Sequence, residues 1–382
     1  MRIFLTSSHF STILMTAYAR TAPGDGKDFL ILDAGRRKLS NMQQMKMAGS
    51  LHTWNNVFDF SEIFVNENEP LPGLTKRITW RVKNLPLFRP VYKILLRNYQ
   101  RKKNRKKQEK LRSLLGTFDE NEQVQLFLLK ETGLNDALTG LFRNSTVSYF
   151  EHGSSDYLLM INDPPKGQGK FYCVFSQQFK RFLEKRQLDP EYVLPFANEH
   201  SFRKICDDYF SVYPEQVSLL QSLCSPGKIY ALVILQPFEN IMVDSRCWED
   251  FLDRCTRITE KQQDIYYIIK PHPLQSKKET ETVRNYFTRH GLQFIVSEDD
   301  TSVISIELAF SILQKQVKYV FSPYSSALFY LSALFPDEQT KYYFAYEYMR
   351  PYLREAPSAY YTLYDTAGPM IKEVFSEKCA EI

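Results

Sequence analysis

The 382-residue chain contains no Asp-x-Asp pair, no Cys-x-x-Cys, no Gly-x-Gly-x-x-Gly and no complete phosphate-binding P-loop. Each absence removes a class of function. Without Asp-x-Asp, the most familiar carboxylate pair for holding a divalent cation beside a nucleotide is missing. Without the glycine fingerprints, dehydrogenase, kinase and ATPase readings lose their phosphate cradle. Gly169-Lys170 has a P-loop's Gly-Lys pair but nothing else of it. The six cysteines, Cys173, Cys206, Cys224, Cys247, Cys255 and Cys379, are scattered. They read as reduced, mostly buried thiols of a cytoplasmic protein, and with the histidines they form no cluster of zinc spacing. No apolar run approaches the roughly 18 residues of a membrane span. The apolar start is short and runs at once into Thr6-Ser7-Ser8-His9, unlike a signal peptide. The expectation is a protein that is soluble or peripheral, without internal repeats or low-complexity linkers.

What is present is a large core and an uneven charge. Hydrophobic residues make up 43% and aromatics 14%, so the chain is globular, and its length favours two domains. Net charge is only +5, yet residues 76–112 hold 15 Lys or Arg and one acid, Glu109. That segment carries +14, and the rest of the chain −9. A mildly acidic globule with one strongly basic insertion suits a polyanionic partner: nucleic acid, acidic lipid or an anionic polymer. Pro86 and Pro90 interrupt any helix in its first part. Beyond Pro90, the spacing of Val91, Ile94, Leu95 and Tyr99 predicts a helix with an almost wholly basic polar side.

Along the chain, apolar runs predict strands over 2–5, 29–32, 124–129, 146–150 and 172–175, with helices over 13–19, 131–143, 196–210 and 214–223. Residues 50–64 mix helical and extended signals. After the turn Ser225-Pro226-Gly227-Lys228 a regular rhythm begins. Strands over 229–235, 265–269, 294–296 and 317–321 alternate with helices over 247–259, 277–290, 302–313 and 326–334. The continuous apolar run at 229–235 fits a parallel strand covered on both faces, and the alternation predicts a doubly wound parallel sheet. The domain boundary is placed near Ser225, giving 1–225 with the basic insertion and 226–382 ending in a terminal helix over 368–382.

Three motifs fall at predicted strand ends of the second half, where such folds bind ligands. Gln236-Pro237 follows the first strand and can present an amide to phosphate. Lys270-Pro271-His272-Pro273 follows the second: the prolines fix the backbone, so the imidazole is aimed, and with Lys270 it could neutralise a departing phosphate. Ser322-Pro323-Tyr324-Ser325-Ser326 follows the fourth, and hydroxyls at a helix start form an anion site, although an ordinary N-cap uses the same residues. Earlier, Glu151-His152-Gly153-Ser154 ends a strand. Glu151 there could take a proton from a hydroxyl, Gly153 permits a tight bend and close approach, and His152 is a second acid/base candidate or a loop contact. Glu307 sits in an apolar helix face and needs a partner, for which a ribose diol or base amino group would suit. Solvated turns and helix surfaces would explain several of these residues singly. Their order and strand-end placement together suit glycosyl transfer from a nucleotide sugar.

This combination resembles the bacterial GT-B sialyltransferases, particularly capsule polysialyltransferases and lipooligosaccharide sialyltransferases. Those families carry an acid-acid-Gly motif, a His-Pro motif and a Ser-Ser/Thr motif in this order, with a Gln-Pro and a helical Glu. Here they match Glu151 to Gly153, His272-Pro273, Ser325-Ser326, Gln236-Pro237 and Glu307. The resemblance implies an α/β GT-B-like fold: two Rossmann-like domains facing a cleft, acceptor-binding first and nucleotide-sugar-binding second. It implies metal-independent, inverting transfer of sialic acid or a related nonulosonic acid from its CMP donor to a capsule or lipooligosaccharide acceptor. No cofactor is implied, since the CMP-sugar is a substrate. Glu151 would be the base, His272 and Ser325-Ser326 would hold the CMP phosphate, and Glu307 the nucleoside. The family's second acid is His152 here, which leaves open a base role for the imidazole.

Arg101, Lys102, Lys103, Arg105, Lys106 and Lys107 would then meet an anionic glycan acceptor or the anionic inner face of the bacterial inner membrane. Nucleic acid is the weaker reading: Trp80, Phe88, Tyr92 and Tyr99 interleave the charges, but no nucleic-acid fold motif accompanies them. Two rivals remain, a CDP-glycerol-type polymer transferase and a non-enzymatic polyanion-binding protein.

Overall fold

The computed structural model describes residues 1–22, 24, 27–33, 38–60, 89–116, 118, 122–130, 132–196, 199–225, 227–236, 246–262, 264–272, 275–297, 304–323, 325–352 and 368–382. Its strands are β1 (Arg2–Thr6), β2 (Asp28–Leu32), β3 (Asn56–Asp59), β4 (Gln125–Leu129), β5 (Thr146–Phe150), β6 (Phe171–Cys173), β7 (Val193–Pro195), β8 (Ile229–Ile234), β9 (Ile265–Lys270), β10 (Gln293–Val296), β11 (Val317–Ser322), β12 (Lys341–Phe344) and β13 (Cys379–Glu381). Packing divides the chain into two compact units, Met1–Phe150 with Pro165–Phe171, and Glu151–Pro164 with Tyr172–Ile382.

In the first unit the strands run in the order β3-β2-β1-β4-β5, all parallel. Every residue of β1 is buried, which is why its sequence is apolar without alternation. Helix His9–Thr21 starts at once beyond it, closed by a capping box between Ser8 and Ser11. The one charge in β1, Arg2, is neutralised within the fold: Nε lies 2.6 Å from Asp28 Oδ1, and His52 Nε2 lies 2.9 Å from Oδ2. Burial pushes the Asp28 carboxyl up, but His52 and Arg2 outweigh it and hold it below its usual range. Leu126 and Leu128 of β4 pack with Leu111, Leu134 and Leu138 in the core. Gly169, which the sequence offered as a P-loop fragment, has a packing reason instead. A Cβ there would lie 2.2 Å from the Val147 carbonyl oxygen of β5.

The basic segment forms helix Arg89–Leu115 on this unit; its first part, 76–88, lies outside the described residues. One side is anchored. Leu111 is buried, Gln108 Nε2 donates to the Ala137 carbonyl at 3.4 Å, and Lys107 Nζ donates to the Gly133 carbonyl at 2.5 Å. Arg101, Lys102, Arg105 and Lys106 are exposed, whereas Lys103 and Lys107 are half-buried.

The second unit holds a six-stranded, wholly parallel sheet in the order β10-β9-β8-β11-β12-β13. Five of the six residues of central β8 are buried. The expected break near Ser225 differs from the packing division. Helices Ser176–Glu184, Glu199–Val212 and Pro214–Ser222 pack in the unit of the second sheet, and the Phe202 ring, for example, meets Phe335 edge-on at 5.8 Å. Where a terminal helix over 368–382 is expected, residues 368–378 are helical, with a π-turn over Ile371–Phe375, and lead into β13, which pairs in parallel with β12. Phe375 packs edge-on against Tyr157 at 4.9 Å and Phe175 at 5.2 Å, which fixes the turn before the strand. Among the described residues, no helix is long and apolar enough to cross a membrane.

Candidate active site

The strand order of the second sheet shows where a fold of this kind binds its ligands. From β8 the chain winds outward to β9 and β10, then returns to the other side of β8 for β11, β12 and β13. The winding therefore reverses between β8 and β11, and ligands bind beyond the carboxyl ends of strands at such a switch point. Register brings those ends level: Ile234 of β8 pairs with Lys270 of β9, and Val233 pairs with Phe321, one residue before the end of β11. Gln236, Lys270 with His272, and Ser325 with Ser326 thus stand beyond three adjacent strands. All five are partly exposed. Pro237 and Pro273 lie outside the described residues.

Local bonds shape each loop. The Gln275 N–H donates to the His272 carbonyl at 2.8 Å, closing the turn after β9. The Ser325 N–H donates to Ser322 Oγ at 3.2 Å, and Ser325 Oγ accepts from the Ala327 N–H at 3.3 Å. Ser325 is therefore the N-cap of helix Ser326–Leu334. The N-cap takes the Ala327 N–H with its hydroxyl and the Leu328 N–H with its carbonyl, so the capping expectation is met at Ser325.

Glu307 is in the first turn of helix Ile306–Leu313, behind N-cap Ser305, and is only 5% exposed. Burial pushes its carboxyl up to about 7; its own backbone N–H, the Ser305 hydroxyl and the charge of Lys270 draw it down. The acid on an apolar helix face thus has its partners in Ser305 and Lys270.

Glu151 follows β5 as the first residue of the second unit and is completely buried. Its Oε2 accepts from the Tyr157 hydroxyl and from the Val174 N–H at 3.0 Å, whereas Oε1 accepts no hydrogen bond. Burial raises this carboxyl to about 8; Tyr157 and Val174 oppose the rise, Asp156 adds to it, and Tyr330 slightly opposes it. The acid is therefore not the exposed turn residue its sequence context also allowed. The next residues form the turn into helix Ser155–Asn162. The His152 and Gly153 N–H groups both donate to Asp156 Oδ2, the latter at 3.1 Å. The His152 side chain is exposed, and Ser154 is the helix N-cap without a side-chain cap bond. Gly153 is not in the left-handed region, so the bend itself does not demand glycine. A Cβ there would meet Ser326 Oγ at 3.7 Å, an ordinary contact that brings this turn against the Ser325-Ser326 helix start.

The structure thus joins Glu151, Gly153, Ser326 and, one turn further along that helix, Tyr330, whose hydroxyl feels the charges of Glu151, Asp156 and Glu307. Asp156, Tyr157, the Val174 N–H and Tyr330 carry no role in the sequence reading. A signal existed for Asp156, an acid placed to cap the turn three residues after Gly153, and for Tyr330, four residues beyond Ser326 on one helix face. Among the described residues, no group of three or more His, Cys, Asp or Glu could hold a metal ion.

A family model for alpha-2,8-polysialyltransferase (POLYST) matches residues 2–343. The chain belongs to that family. It is accordingly a sialyltransferase-like glycosyltransferase, and the non-enzymatic reading falls away. No curated protein sequence matches the chain. Solved structures support the fold of this polysialyltransferase-family protein. The Methanocaldococcus jannaschii UDP-GlcNAc 2-epimerase in complex with UDP-GlcNAc and UDP is similar over 100% of this chain and 89% of that one, with TM-score 0.55 and 12% identity. An alpha/beta-galactoside alpha-2,3-sialyltransferase from the luminous marine bacterium Photobacterium phosphoreum covers 100% and 97%, with TM-score 0.50 and 10% identity. A Neisseria meningitidis UDP-GlcNAc 2-epimerase bound to UDP-GlcNAc covers 86% and 79%, with TM-score 0.50 and 11% identity. At these identities the likeness is one of fold, the two-sheet parallel α/β plan of GT-B.

Proposed function

We propose that this protein transfers sialic acid or a related nonulosonic acid from a CMP donor to an anionic cell-surface glycan, with inversion and without a metal ion. The observation that carries the reading is the placement of Gln236, Lys270-His272 and Ser325-Ser326 beyond adjacent strand ends at the switch point of a polysialyltransferase-family sheet. In this scheme the helix start, its hydroxyls and the His272 imidazole hold the CMP phosphate, Lys270 adds charge, Gln236 offers its amide, and Glu307 meets the ribose or base. Glu151 removes the proton of the acceptor hydroxyl. That oxygen bonds to the anomeric carbon as the bond to the CMP phosphate oxygen breaks, and CMP leaves with the electron pair. A single displacement of this kind inverts the anomeric centre. Imidazole, ammonium and backbone N–H groups supply the donors that the leaving phosphate needs, so EDTA should leave transfer within about twofold.

A donor screen tests the reading: purified protein is offered CMP-, UDP-, GDP- and CDP-activated sugars, and nucleotide release is measured. Release of CMP from CMP-sialic acid alone is expected. Release from another donor class, or activity lost in EDTA and restored by a divalent ion, would overturn the donor or metal assignment respectively.

The exposed side of helix Arg89–Leu115 supports an anionic acceptor, and with it work at the cytoplasmic face of the inner membrane. Charge reversal at Arg101, Lys102, Arg105 and Lys106 should weaken elongation of long anionic acceptors about tenfold or more while sparing donor hydrolysis, because these side chains are exposed on the first unit. Lys103 and Lys107 are better left in place, since Lys107 also anchors the helix. Wild-type affinity should fall steeply with added salt, as screening shortens to roughly 8 Å at physiological ionic strength. Vesicle binding lost with elongation intact would assign the helix to the membrane surface instead.

A further inference from the structure

We infer that Tyr157 is a positioning residue that holds one oxygen of Glu151 and thereby leaves Oε1 as the atom that takes the acceptor's proton. The inference rests on the reading of Glu151 as the base. The geometry is asymmetric in a way that a merely buried acid does not require. The two hydrogen bonds of full geometry, from Tyr157 and from the Val174 N–H, converge on Oε2; Oε1 has none of that quality, and the Tyr330 hydroxyl engages the carboxyl only weakly. The phenol is itself clamped. Its oxygen accepts from the Phe175 N–H at 3.2 Å, and its ring stands edge-on between Phe179 and Phe375, each with centroids 4.9 Å away. Tyr157 is completely buried, so the hydroxyl has no freedom to turn to solvent. Two donors thus hold one edge of the carboxyl against the turn after β6, and the Phe175 N–H in turn holds the phenol that is one of them.

The groups that face Glu151 come from every element packed on it: Tyr157 and Asp156 from helix Ser155–Asn162, Cys173 of β6, and Tyr330 from helix Ser326–Leu334. Of these, Tyr157 is the largest opponent of the rise caused by burial. A hydrogen bond to the charged form favours that form. Removing it must therefore make the base harder to ionise, without touching the phosphate site beyond β8, β9 and β11.

The test is the pH profile of kcat in Tyr157→Phe beside that of the wild type. The acid limb is expected to move up by about one pH unit, so that transfer at pH 7 falls about tenfold but recovers at high pH, with KM for the donor unchanged. A 3-fluorotyrosine at position 157 keeps the shape and strengthens the hydroxyl as a donor, and should move the limb down; it keeps the inference testable if the phenylalanine variant folds poorly, which its melting temperature and CMP binding would reveal. A loss of equal size at every pH with an unmoved limb, or an unmoved limb in the fluorinated protein, would overturn the positioning role. Glu151→Gln separates the two layers: if it is inactive while the Tyr157 variants leave the limb in place, positioning alone fails, whereas transfer retained in Glu151→Gln overturns the base reading itself.

Discussion

Glu151→Gln is expected to abolish transfer, by about 10²–10⁴-fold as for loss of a general base, while CMP binding survives. The amide keeps the shape of the side chain and can still accept from Tyr157 and the Val174 N–H, so the fold around Oε2 has no reason to change. What disappears is proton affinity. In the wild type that affinity is high, because burial holds the carboxyl near 8. The wild-type kcat/KM should therefore climb with pH through about 8, and no such limb should remain in the variant. Stability supplies an independent check. The folded carboxyl keeps its proton up to about pH 8, whereas the unfolded one releases it near the ordinary value of 4.5. Between those values the unfolded state binds fewer protons, so wild-type stability falls as pH rises and levels off above about 8. The glutamine has no such loss, and its melting temperature should gain on the wild type across that window. Should His152→Ala abolish transfer while Glu151→Gln does not, the base is the exposed imidazole and Glu151 is a structural acid.

The burial that drives this prediction was not legible in the sequence. Tyr157, Val174, Tyr330 and Phe375 come from four segments spread over more than half of the second unit, and no spacing rule links them. Glu151 itself stood out because an acid at a strand end beside Gly153 is a local pattern. The second sheet was legible for a physical reason: parallel strands covered on both faces read as nearly unbroken apolar runs, as β8 and β9 do, while β11 keeps enough apolar residues around Lys318 to read as a strand. The helix expected over 277–290 forms as Lys277–Arg289, and the structure closes its start with a capping box between Ser276 and Glu279. β12 and β13 escaped because they are short. Lys341-Tyr-Tyr-Phe344 has one exposed and one half-buried residue, and Cys379-Ala-Glu381 is mostly exposed and gains its strand character only from pairing with β12. Ile371, Val374 and Phe375 are buried within the π-turn that precedes the strand. The packing division after Phe150 was also hidden, since residues 151–164 and 172–225 pack with the second sheet although they precede its first strand in sequence.

His272→Ala should lower kcat about 10²-fold, with a smaller change in KM for the donor, as expected when a preorganised group that meets developing charge is lost. The reasoning starts from the turn after β9. The main chain of His272 is tied down by the Gln275 N–H at 2.8 Å, so truncating the side chain removes the imidazole without freeing the loop. Lys270, at the end of the same strand, adds charge but cannot replace an imidazole held in place by its turn. The serines answer differently. Ser325 caps helix Ser326–Leu334, so Ser325→Ala should also cost about 1 kcal/mol of stability, a loss visible by melting; Ser326→Ala should not. Each single change should cost less activity than His272→Ala, and the double change more than the product of the two, because neighbours on one phosphate are not independent. If His272→Ala stays within a few-fold of wild type while the serine double variant is inactive, the phosphate is held by the helix start alone, and the His-Pro turn serves only to close the end of β9.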